Sequence, residues 1–180
     1  MAQIYTLSDG SAYSFPDGRL LLLGSPVALV TDRTAADVAR WRALHDKGWA
    51  AMTPAERTEW SNGMKGAYNY SDMNRVESAV EYLVTLFADR GTNLTLTMKT
   101  DWTNTSYPTR TDMARYFGNV EALRNATGVA LNAPPTPTVD TRFDYQKAND
   151  LEKILLAVEE WLDSVNRSRY YSGELHSGEV

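Results

Sequence analysis

The residues able to do chemistry in this chain are few and badly placed for it. His45 and His176 are the only histidines. They lie on separate predicted elements, with no His-x-x-x-His and no carboxylate–histidine spacing. The plain reading is that both are surface residues and that no metal is bound. A serine hydrolase needs a base beside its nucleophile. His45 is the one candidate, but no Gly-x-Ser-x-Gly elbow is present. The chain has no cysteine, which removes thiol nucleophiles, disulfides and thiolate metal sites. Neither a Gly-x-x-x-x-Gly-Lys nor a Gly-x-Gly-x-x-Gly loop occurs, so no phosphate cradle is written in the sequence.

Paired carboxylates need fewer residues, because glycosidases work with two. Asp101-Trp102 is the best candidate, an acid beside an aromatic with Tyr107 nearby. Aromatics stack on sugar rings, and an apolar neighbour raises a carboxyl pKa. The competing reading is that Trp102 anchors a long loop while Asp101 caps a turn. Glu159-Glu160 and Glu77/Glu81 read most simply as solvated helix faces. No catalytic residue, cofactor site or metal site is assigned, and the chain is expected not to be an enzyme.

The surplus of aromatics points elsewhere. The sequence holds 5 Trp and 10 Tyr in 180 residues. Tyr68, Tyr70, Tyr107, Tyr170 and Tyr171 fall in predicted loops or the tail. Aromatic side chains are enriched in protein interfaces. With Trp102 and Leu175 they make the candidate interface set, against the alternative that they seal the ends of a bundle.

Composition limits the partners. Hydrophobic residues make up 43% and charged residues 23% of the chain, as in an ordinary globular protein. A net charge of −5 argues against nucleic acid and anionic membranes. The basic residues are scattered, apart from Arg167 and Arg169. No signal-peptide pattern follows Met1, and Leu20 to Leu23 is too short to span a membrane. Synthesis in the cytoplasm is expected, with no membrane insertion.

The elements that must carry these residues are mainly helical. Residues 1–30 read as a small antiparallel β-meander of four strands, separated by Asp9-Gly10, Asp17-Gly18 and Gly24-Ser25. Residues 31–126 read as a helical bundle segment. Its first helix follows Thr31-Asp32 and ends at Gly48. The second opens on the capping box Thr53-Pro54-Ala55-Glu56. The third runs from Ser71, as cap, to Asp89, with Met73, Val76, Val80, Leu83 and Phe87 on one face. Gly66, just before it, reads as a positive-φ turn. Asn93–Thr100 alternates leucine and methionine with threonine, a strand or an extended arm. The fourth helix begins near Thr109, and Gly118 inside it is either a close-packing point or a weak one.

Residues 127–143 form a proline-rich linker in which helix is forbidden. The longest helix occupies residues 144–169 and carries Ala148, Leu151, Leu155, Val158, Leu162 and Val165 at strict three-four spacing. Residues 170–180 are a tail peptide with an echo, Ser172-Gly173-Glu174-Leu175 and Ser177-Gly178-Glu179-Val180. It is expected to have no helix of its own. The fold class is thus a bundle of about four to five helices with a small N-terminal β-meander. Met73-Asn74-Arg75-Val76-Glu77 and Ala148-Asn149-Asp150-Leu151-Glu152 share apolar-Asn-x-apolar-Glu near a helix start. This predicts that the third and fifth helices are neighbours and that both asparagines bond to loop backbone.

An ordered set of short motifs carries a family resemblance. It runs through Thr31-Asp32-Arg33-Thr34 with Asp37-Val38, Gly48-Trp49, Met52-Thr53 with Glu56, and Glu59-Trp60. It continues through Lys65-Gly66-Ala67-Tyr68-Asn69, Asp72, Asn74-Arg75-Val76-Glu77 and Lys99-Thr100-Asp101-Trp102. Pro108-Thr109, Met113-Ala114-Arg115-Tyr116, Asn119-Val120, Ala148-Asn149 with Glu152, and Tyr171-Ser172-Gly173-Glu174 complete it. In this order, over about residues 31–180, the chain resembles a domain of tail-associated structural proteins from phages and prophages of gut Firmicutes. The resemblance implies a virion protein of the tail tip, baseplate or fibre, and no catalytic residue is carried over from it. The expected function is a non-enzymatic structural or adaptor component that mediates subunit assembly or host attachment. Its partners would be other tail proteins and further copies of itself, since tail parts assemble symmetrically. The alternative is a carbohydrate-binding module or weak glycosidase acting on host surface glycans through Asp101, Trp102 and Tyr107.

Overall fold

The computed structural model describes residues 28–174 and the backbone of two short strands, β1 (Gln3–Ile4) and β2 (Leu22–Leu23). Beyond residue 166 only backbone is described, Ser168 apart. β1 and β2 pair antiparallel, with Gln3 opposite Leu23. The rest of the four-strand meander expected over residues 1–30 lies outside the described residues.

The described chain is mainly helical, with five α-helices: α1 (Ala35–Lys47), α2 (Pro54–Ser61), α3 (Tyr70–Ala88), α4 (Arg110–Ala126) and α5 (Tyr145–Glu174). Four of these starts are fixed by capping boxes, on Thr34, Thr53, Asn69 and Thr109. In each, an acidic residue three positions on returns a bond to the cap backbone and sits at the positive end of the helix dipole. The cap of α3 is Asn69, not the expected Ser71. Ser71 instead donates its backbone N–H to Asn69 Oδ1 at 2.8 Å. At the far end of α1, Gly48 takes φ 73°, which favours glycine.

The core is built by α3, α4 and α5, which all run the same way. A helix followed directly by a parallel helix needs a return path, and here an extended arm supplies it twice. After α3, Thr92 N–H bonds to Phe87 O, and the chain then runs back until Trp102 meets Asn74. The apolar residues Leu94, Leu96 and Met98 pack on the core from this arm while the threonines between them face out. The alternation is that of a strand, but no ladder forms, so Asn93–Thr100 is the extended arm.

After α4 the proline-rich segment does the same. Arg124 bonds to Ala133 O and Pro134 O near the end of α4, and Arg110 pairs with Asp140 at its start. α5 then begins beside the start of α3. Arg75 meets Glu152 near the N-terminal ends, and Phe87 stacks on Trp161 at 6.1 Å further along. The expected neighbours α3 and α5 are neighbours.

Val76, Val80, Leu83, Val120, Leu123, Leu151, Leu155 and Leu162 form the centre of the core and are all essentially inaccessible. Each contributes about 1.5–3 kcal/mol through burial. α1 and α2 form a smaller satellite around Leu44 and Met52, with Trp41 and Trp60 stacked at 6.5 Å. α5 continues to Glu174, so Tyr170 and Tyr171 lie on its last turns and not in a separate tail peptide. Extending a nucleated helix costs little, which overrides the weak propensity of Ser172 and Gly173.

Candidate functional site

The most concentrated chemistry lies where the N-terminal ends of α3 and α5 meet the segment before α1. Arg33 enters from that segment and is 4% exposed. Its Nη2 donates to Asp72 Oδ1 and to Glu152 Oε1, both at 2.8 Å, and its Nη1 donates to Val30 O at 2.6 Å. Arg75 reaches the same two acids from α3, with Nε 3.1 Å and Nη2 2.8 Å from the two oxygens of Glu152. Val30 N–H supplies a further donor to Glu152 Oε2. Two guanidiniums and two carboxylates therefore balance, which is the condition for keeping such charges out of water.

Asp72 serves twice. Its Oδ2 accepts from Asn69 N–H in the cap of α3, while its Oδ1 takes the two arginines. Burial alone would lower the pKa of Arg75. The carboxylates of Glu152 and Asp72 outweigh that and hold its guanidinium above the ordinary value. The guanidinium of Arg33 also lies over the ring of Tyr68, 5.4 Å from its centroid. The Tyr68 hydroxyl meets the Tyr116 hydroxyl at 2.5 Å, and burial pushes both phenols above their ordinary pKa.

A second buried pair ties α3 to α4. Glu77, 1% exposed, receives Arg115 Nη2 at 2.6 Å and Nη1 at 3.0 Å. Arg115 and Asn119 also donate to Thr97 O, holding the first arm against α4. Glu77 is thus not on a solvated face as expected. Glu159 departs in the same way: it is 7% exposed, and its Oε1 has no partner among the described residues. Burial, then Asp163 and Glu160, pushes its carboxyl up to about 7.

The candidate interface residues are not brought together on one surface. Trp102 is 5% exposed and belongs to the core, with Lys99 over its ring. Its backbone N–H and C=O pair with the two ends of the Asn74 amide at 2.8 and 2.9 Å. Trp102 therefore anchors the loop, and its faces are not open to stack on a sugar. Asp101 is exposed, and its bond to Lys99 lowers its pKa, where an apolar neighbour would have raised it. Tyr68 is half-buried, inside the charge cluster. Tyr70 is exposed, and Tyr107 is 86% exposed. The side chains of Tyr170 and Tyr171, and the whole of Leu175, lie outside the described residues. His45 is exposed beside Asp46, and His176 lies outside the described residues.

One cavity borders the charge cluster. It has a volume of about 510 Å³ and lies between α1, the turn before α3 and the start of α5. Trp41 and Phe143 supply apolar wall, Arg33, Arg42, Lys65 and Arg142 supply positive charge, and Asp144 adds one carboxylate. Sequence reading missed this gathering because the four cations come from positions 33, 42, 65 and 142. Only the fold brings them to one end of the bundle. A second cavity, of about 660 Å³, lies between α4 and the proline-rich arm around Gly118 and Glu121.

No protein-family model, no curated protein and no solved structure matches the chain.

Proposed function

We propose that this chain is a non-enzymatic structural or adaptor protein of a phage tail. The observation that carries the reading is where the polar residues of the ordered motif set are used. Arg33, Asp72, Asn74, Arg75, Glu77, Arg115, Asn149 and Glu152 all join one element to another. Spending so many charged side chains on internal joints suits a rigid part that bears load or holds partners. A reaction centre would keep some of them open to a substrate. The exposed Tyr107 and Tyr70, at the N-terminal ends of α4 and α3, supply aromatic contact points for neighbouring subunits. With Trp102 buried, the glycan-binding alternative keeps only Tyr107 and Asp101 exposed of its three residues.

The test is to induce the phage from its host, purify the particles and probe them with an antibody against this chain. Labelling at one end of the tail, with a fixed copy number by quantitative mass spectrometry, is the expected result. Particles that lack the chain while the cell lysate holds it would overturn the proposal.

A further inference from the structure

The cavity beside the charge cluster has properties of a recognition site for a carboxylate-bearing chain. The protein carries net negative charge, yet this cavity sets four cations against one lining carboxylate, Asp144. Two of them are already neutralised: Arg33 by Asp72 and Glu152, and Lys65 by Asp32 at 2.5 Å. Arg42 on α1 and Arg142 just before α5 are exposed and form no ion pair among the described residues. Arg33 adds a second, independent sign. Its side chain is buried and lines the cavity, and its Nε has no hydrogen-bond partner among the described residues. That Nε is sealed from solvent, so it marks an incompletely satisfied guanidinium at the cavity wall and not a donor that a ligand already reaches. The start of α5 also borders the cavity, but its dipole is already answered there by Asp144, whose Oδ1 accepts Lys147 N–H at 3.1 Å. Guanidiniums bind carboxylates through paired, charge-assisted bonds, and the Trp41 and Phe143 walls suit an aliphatic neighbour.

The sequence of the chain contains such a ligand twice. Ser172-Gly173-Glu174-Leu175 and Ser177-Gly178-Glu179-Val180 each set a carboxylate beside an aliphatic side chain. We propose that the C-terminal segment of one copy docks into this cavity on a second copy. The same copy's segment is out of reach. α5 starts at the cavity and runs 30 residues away from it, about 45 Å at 1.5 Å per residue. The 6 residues after Glu174 span about 21 Å at most. A contact from the end of one copy to the start of the next is heterologous, so it builds a closed ring or an open stack. The inference adds a self-assembly contact to the scaffold reading and does not depend on where in a virion the chain sits.

The experiment uses the full chain. A fluorescein-labelled peptide of residues 170–180 is titrated with protein and followed by anisotropy, and solution mass is measured by light scattering. Arg42 and Arg142 are exposed and unpaired, so R42A/R142A should keep the wild-type circular dichroism and melting temperature. The expected result is saturable peptide binding that weakens at least tenfold in R42A/R142A, and equally for a peptide carrying E174Q and E179Q. The wild-type mass should exceed the single-chain 20.1 kDa and fall to it on adding excess peptide or in R42A/R142A. Peptide binding indifferent to both sets of substitutions would overturn the proposal. So would a single-chain mass at every concentration with no peptide binding. None of these outcomes bears on whether antibody labels the particle.

Discussion

Asn149 holds Arg33 by its backbone. Arg33 N–H donates to Asn149 Oδ1 at 3.0 Å, and Asn149 Nδ2 donates to Arg33 O at 2.9 Å. The amide thus mimics a strand neighbour and fixes the segment before α1 to the first turns of α5, 116 positions away in sequence. Asn74 does the same to Trp102, tying the arm after α3 back to the first turns of that helix. Removing either amide leaves a backbone donor and a backbone acceptor unpaired in the interior, each costing about 1–3 kcal/mol. Asn149→Ala is therefore expected to lose about 3 kcal/mol in urea unfolding. Asn149→Asp should lose at least as much, because it keeps the acceptor and replaces the donor with a charge near Glu152. Equal stability of wild type and Asn149→Ala would show that the clamp is ornamental.

The two clamps were legible because each repeats one local pattern, apolar-Asn-x-apolar-Glu, near a helix start. The capping boxes on Thr53 and Thr109 were legible for the same reason, since cap and acid lie three residues apart. What resisted reading was long-range. Glu77 looks like a surface residue until Arg115, 38 positions on, is folded against it. Arg33, Arg42, Lys65 and Arg142 look scattered until α1 and the start of α5 are placed side by side. Gly66 reads from the sequence as a positive-φ turn, and the structure needs glycine there for a different reason. Its φ is not among the positive ones; a Cβ there would sit 2.0 Å from Asp37 O. Contact with a backbone 29 positions earlier leaves no local trace.

Glu152 is the pivot of the charge cluster, at 0% exposure with both arginines on it. Truncation to Glu152→Ala strands two guanidiniums against Asp72 alone. Breaking a buried pair from one side typically costs about 3–5 kcal/mol, much of it from the charge left behind. The expected result is a loss of that size in chemical denaturation. The Asp72→Asn, Arg75→Met double variant should lose less than the sum of its two single variants, because the partners act together. Additive losses would mean that the cluster is a set of independent contacts.

Two glycines should answer alanine in opposite ways. At Gly66 the added methyl meets backbone, Asp37 O at 2.0 Å and Val38 N at 2.7 Å, which no rotamer change can relieve. Gly66→Ala should push the turn away from α1 and cost about 2 kcal/mol or more. At Gly118, in the middle of α4, an added methyl meets nothing within 4 Å. Gly118→Ala should stabilise by up to about 1 kcal/mol through helix propensity. Thermal unfolding of the two variants checks both signs, and a destabilised Gly118→Ala would contradict the open space beside α4.

Glu159 makes stability depend on pH near neutrality. Its carboxyl is raised to about 7 in the folded protein, against 4.5 for an ordinary glutamate. The folded state therefore binds the proton more tightly than the unfolded state does. The stabilisation is complete below about pH 4.5 and is lost as pH rises through about 7. A shift of that size corresponds to roughly 3 kcal/mol at most. The side chain is 7% exposed, but the surroundings enclose the carboxyl only in part, so about 2 kcal/mol is the expected swing. The groups that face it are Tyr82 from α3, and Glu160 and Asp163 on its own helix. Glu159→Gln keeps the shape and removes the ionisation. Urea unfolding at pH 5, 6, 7 and 8 should show wild type falling behind Glu159→Gln across that range. Parallel curves for the two proteins would place the ionisation of Glu159 outside the folding balance.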